Sequence, residues 1–144
     1  MSLAAAFFVK EHKMSLGLVE KWYWSLGVYE RNTPLVPLGR TFYTPTEVLS
    51  EVRKDTTLGR DLQSQLEALR KGASARLDPA LLWDMAKMRL IKRLTERPST
   101  FISYHMDHPI LTAKEFIQLV IAETDRGRRF IETEIDIVKS LWKV

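Results

Sequence analysis

The chain contains no cysteine, which excludes disulfide frameworks, zinc ribbons, thiol nucleophiles and iron–sulfur clusters. It also has no long apolar run: the longest, Leu3 to Val9, falls far short of the roughly 20 residues that a membrane span needs. The same run fails as a secretory leader. No cation precedes it, and Lys10-Glu11-His12-Lys13 stands where small residues would be cleaved. A cytoplasmic protein with no membrane partner is the expectation. Glycines number only six and never cluster, so no phosphate-cradling loop is present, and there is no Gly-x-Ser-x-Gly elbow for an activated serine.

What remains is ordinary globular usage over 144 residues, 45% apolar and 28% charged, enough for one core of domain size. Lys and Arg total 22 against 18 Asp and Glu, a net charge of +4. The segment Lys87 to Arg97 holds five cations and one anion, 5 − 1 = +4, so the whole excess sits in one stretch. Met14-Ser15-Leu16 repeats Met1-Ser2-Leu3. The expected organisation is therefore residues 1–13 as an arm or cloning leader, followed by one helical domain over 14–144.

Two helix starts resemble each other closely. Thr44-Pro45-Thr46-Glu47 has a capping threonine, a proline at the first helical position, and a glutamate placed to reach back to the cap. Thr112-Ala113-Lys114-Glu115 repeats this box at an offset of 68 (112 − 44). At the same offset Val52 meets Val120, Thr56 meets Thr124, and Gly59-Arg60 meets Gly127-Arg128. Carried further, the offset sets a helix from about Met14 to Arg31 against one from Asp78 to Arg97, where Asp78 caps, Pro79 opens and Pro98 stops. The spacing of Leu58, Leu62, Leu66 and Leu69 gives one long helix ending near Gly72. That of Phe130, Ile131, Ile135, Val138, Leu141 and Trp142 gives another.

The pattern predicts an all-α fold: about six helices in two similar three-helix units, 14–73 and 78–144, with an internal duplication at offset 68. Each unit carries a long irregular connection. Asn32 to Tyr43, with Pro34, Pro37 and Gly39, reads as extended loop rather than sheet. Thr100 to Tyr104 has strand propensity and is a candidate to pair with it.

Three sets of residues bear on function. Trp22, Tyr23 and Trp24 cannot all point inward, because neighbours on a helix lie about 100° apart. With Trp142 they form a candidate partner-binding surface, since exposed aromatics are common interaction anchors; the alternative is packing beneath Leu35, Val36 and Leu38. Lys87, Arg89, Lys92, Arg93 and Arg97 form a candidate ridge for nucleic-acid phosphates, or else reach solvent and pair with acids of the last helix such as Glu132, Glu134 and Asp136. His105, Asp107 and His108 are the one local set of metal-ligand types, although Pro109 disfavours the helix that would bring them together.

The leading expectation is a non-catalytic protein-interaction or assembly module of a bacterial or phage system, without cofactor, binding a protein partner or a second copy of itself. A nucleic-acid-binding regulatory protein using helix 87–97 is the alternative. A metal-dependent enzyme centred on His105, Asp107 and His108 is the third.

Overall fold

Both capping boxes close as the sequence predicts, and they fix where two of the helices begin. In the computed structural model, which describes residues 16–72, 77–97 and 111–144, Thr44 Oγ1 accepts from the Glu47 amide at 3.1 Å while Glu47 Oε1 accepts from the Thr44 amide at 3.0 Å. Thr112 and Glu115 form the same reciprocal pair. The fold is all-α. Its helices are α1 (16–25), α2 (Val28–Arg31), α3 (Pro45–Arg53), α4 (Thr57–Arg70), α5 (Pro79–Glu96), α6 (Ala113–Ile121) and α7 (Asp125–Trp142). One hairpin, β1 (Val36–Leu38) and β2 (Thr41–Tyr43), is the only sheet among the described residues.

The chain divides into two units: Met1–Arg76 with Ser140–Val144, and Leu77–Lys139. The first helix expected over 14–31 is broken. Gly27 takes an extended conformation at the start of the one-turn α2, and Arg31 closes the gap by donating from Nε and Nη2 to the Tyr23 and Trp24 carbonyls at the end of α1. The first connection is also not pure loop. Pro37 lies in β1 opposite Phe42, and its carbonyl accepts from Gln65 of α4 at 2.9 Å. Its backbone thus faces α4 instead of β2, so the missing N–H costs no ladder bond. The expected pairing of this connection with Thr100 to Tyr104 lies outside the described residues.

The core of the first unit is built from Val19, Trp22 and Leu26, from Val48, Leu49 and Val52 of α3, and from Leu62, Leu66 and Leu69 of α4. Leu35 and Val36 join it, as does Trp142. Ser140–Val144, expected with the second unit, thus belongs with the first. Trp142 Nε1 donates to the Leu35 carbonyl at 2.8 Å, Trp22 Nε1 donates to that of Leu141 at 2.9 Å, and Arg70 Nη1 donates to those of Trp142 and Val144.

In the second unit Asp78 caps α5 by accepting from the Ala80 amide, with Pro79 at the first position. Ala86, Leu90 and Leu94 of α5 pack with Phe116 and Val120 of α6 and Ile131 of α7. Phe130 meets Phe116 edge to face, with ring centroids 5.0 Å apart.

Each unit turns from its nine-residue helix into its longer one by the same device. Asp55 and Glu123, 68 residues apart, both take left-handed backbone, with φ of 54° and 50°. Thr56 and Thr124 follow, each accepting from a glycine amide three residues on, Gly59 at 2.9 Å and Gly127 at 3.1 Å. A Cβ on Gly59 would stand 2.6 Å from the Glu51 carbonyl carbon, and one on Gly127 would stand 2.6 Å from that of Leu119. The glycines therefore permit backbone to touch backbone. Helix propensity alone favours alanine over glycine by about 1 kcal/mol. Gly59→Ala and Gly127→Ala are nevertheless each expected to destabilise by on the order of 3 kcal/mol, because neither neighbour is a side chain that can swing away. Gly17, whose Cβ would meet nothing within 4 Å, is the control, with a gain of about 0.5 kcal/mol expected on mutation to alanine. Chemical denaturation of the three variants checks this, and a neutral Gly127→Ala would contradict the close approach.

Candidate functional site

Consecutive aromatic residues on one helix must diverge, and α1 shows where each goes. Trp22 is 1% exposed and Trp24 is 61% exposed, with Tyr23 half-buried between them. The expectation that Trp22 and Trp142 are partner-binding is corrected. Both are interior, and both indole N–H groups are committed to backbone carbonyls. The pairing of Trp142 with Leu35 follows the alternative in which aromatics pack beneath the proline-bearing connection.

Trp24 is held firmly in its outward position. Its ring meets Tyr23 edge to face at 5.1 Å. The Arg31 guanidinium stacks 4.7 Å above the Trp24 ring and 5.2 Å from that of Tyr23, while its nitrogens satisfy the end of α1. Tyr23 Oη lies 3.3 Å from Thr46 Oγ1, which in turn donates to the Arg31 carbonyl. An exposed aromatic fixed in this way loses little conformational entropy on contact.

Beside it lies a groove of about 380 Å³. Tyr23 and Trp24 form one side; Thr46, Leu49, Ser50, Arg53 and Lys54 form the other. Arg53 Nε reaches Glu20 Oε1 at 3.3 Å, tying α3 to α1. Lys54 lies 3.8 Å from Glu51. The α3 residues were not singled out by sequence, yet their spacing of three and four is the signal that could have found them: it puts 46, 49, 50 and 53 on one helix face. A second groove in the same unit, about 390 Å³, runs between Leu18 and Val19 of α1 and Leu66, Glu67, Arg70 and Lys71 at the end of α4.

The basic residues of α5 do not form an exposed ridge. Arg89 is fully buried and donates from Nε to Glu134 Oε1 at 3.1 Å. Arg93 grips the same carboxylate with both terminal nitrogens, at 2.8 and 2.7 Å. Lys87 pairs with Glu123 and Lys92 with Glu96. Of the expected phosphate-binding row, Arg89 is corrected to an interior residue. Burial removes Arg89 from the surface, and the single carboxylate of Glu134 offsets part of the charge at the centre of the row. Arg97 is exposed just past the last turn of α5.

The Glu123 carboxyl is held below its ordinary value, chiefly by the hydrogen bond from Lys87 and next by that from Trp83 Nε1 at 2.8 Å. Its charge anchors the left-handed turn between α6 and α7 to α5, which gives this acid a structural task. Among the described residues no three His, Asp or Glu side chains gather where a metal ion would bind, and no helix is long and apolar enough to cross a membrane. His105, Asp107 and His108 lie outside the described residues. Comparison with protein-family models, with curated proteins and with solved structures finds no match.

Proposed function

We propose that this chain is a non-catalytic helical interaction module that docks a partner protein through the groove between α1 and α3. The observation that carries this reading is Trp24. A large aromatic side chain stands 61% exposed, with the Tyr23 ring and the Arg31 guanidinium packed against it. Rigid aromatics beside arginine are among the residues that most often dominate protein interfaces. The groove supplies hydroxyls and cations around an apolar centre, the composition of a polar rim about an anchor.

Trp24→Ala tests the proposal. The fold is expected to lose no more than about 0.5 kcal/mol, since the side chain buries little. Recovery of the partner by affinity capture from extract, or self-association by light scattering if the partner is a second copy, is expected to fall about tenfold or more. If both measurements are the same for wild type and Trp24→Ala, the groove is not the docking surface.

A further inference from the structure

We propose that the groove between α1 and α3 takes an acidic peptide segment with an apolar or aromatic anchor residue. This rests on the docking reading above and adds the chemistry of the occupant. Arg53 and Lys54 line the groove with side chains 51% and 64% exposed, and no carboxylate lines it. The Arg31 charge lies over the Trp24 ring beside them.

Arg53 and Lys54 pair with Glu20 and Glu51, neither of which lines the groove. Ion pairs this exposed are worth only about 0–1 kcal/mol, so a ligand carboxylate that also gains an anchor contact can displace them. The apolar lining is Trp24 and Leu49, enough for one large side chain within about 380 Å³. Single-stranded nucleic acid also combines stacking with negative charge. It calls for a succession of aromatic platforms along a basic track, whereas this groove presents one exposed indole with a face already covered by Arg31. A peptide with one anchor and flanking carboxylates fits better.

The test uses the full chain as bait for a display library of short random peptides, with counter-selection on Trp24→Ala to keep only sequences that need the groove. The expected survivors carry Asp or Glu beside a Leu, Ile, Phe or Trp. Their affinity is expected to fall about tenfold or more both in Arg53→Glu/Lys54→Glu and on moving from low to high salt. Survivors that are basic or uncharged, or that bind the charge-reversed variant as well as wild type, would overturn the inference. So would an oligothymidine probe that binds the groove in place of peptides. A Trp24-dependent partner captured from extract together with non-acidic survivors would leave docking standing and remove only the acidic occupant. No Trp24-dependent peptide and no Trp24-dependent partner would remove both.

Discussion

Glu134→Ala is expected to cost about 3–5 kcal/mol, because it strips a buried carboxylate from two arginines that converge on it. Glu134 is 1% exposed and Arg89 is not exposed at all, while Arg93 donates twice to the same group. In water such a pairing is worth little. Inside the second unit the asymmetry is large: the charges are costly to bury, their attraction roughly offsets that cost, and removing one member leaves the others in place without it. Replacing the set together is a different matter. Glu134→Leu combined with Arg89→Met is expected to recover most of the loss, or to exceed wild type by about 1 kcal/mol. Chemical denaturation of the single and double variants measures both values, and a single-variant loss below about 1 kcal/mol would mean that the three groups are solvated.

Trp142→Ala is expected to destabilise the first unit by about 3–5 kcal/mol. The ring is 1% exposed, and its removal opens a cavity among residues held by the rest of that unit. It also leaves the carbonyl of Leu35, a residue with no exposure, without the indole donor now 2.8 Å away. Trp142→Phe separates the two contributions. It keeps most of the apolar contact but loses the donor, so about 1–3 kcal/mol is expected. Denaturation followed by circular dichroism should rank wild type above Trp142→Phe and that above Trp142→Ala. Equal stability of all three would show that the last turn of α7 is not part of the first unit.

Several elements could be read from sequence because their signals are local. The capping boxes at Thr44 and Thr112, the start of α5 at Asp78-Pro79 and the leucine row of α4 all depend on residues within one or two turns. The break after α1 could not be read this way. Leu26 keeps the apolar spacing up to the break, so periodicity runs straight across Gly27, and only the dihedrals reveal the turn. Pro37 argues against sheet when only the sequence is considered, but in a two-stranded hairpin each strand has an open side where a proline costs no ladder bond. The site was half legible. Divergence of Trp22, Tyr23 and Trp24 follows from helix geometry alone, whereas which of them faces inward depends on Leu141, 119 residues away. The five cations of α5 illustrate the same limit. Composition registers their charge but not that Glu134 lies beneath the middle of the row.

The placement of the tryptophans has a practical corollary in light emission. Trp22 and Trp142, sealed in the first unit, will emit at short wavelength and resist aqueous quenchers. Trp83 is bonded to Glu123 in the second unit, and its emission will respond when acid neutralises that carboxylate. Trp24 faces solvent at the groove, so its emission is red-shifted and open to collisional quenching by acrylamide. The chain thus carries separate optical reporters for the core of one unit, the turn of the other and the groove between α1 and α3. An occupant seated on the groove would protect Trp24 and leave the other three signals unchanged.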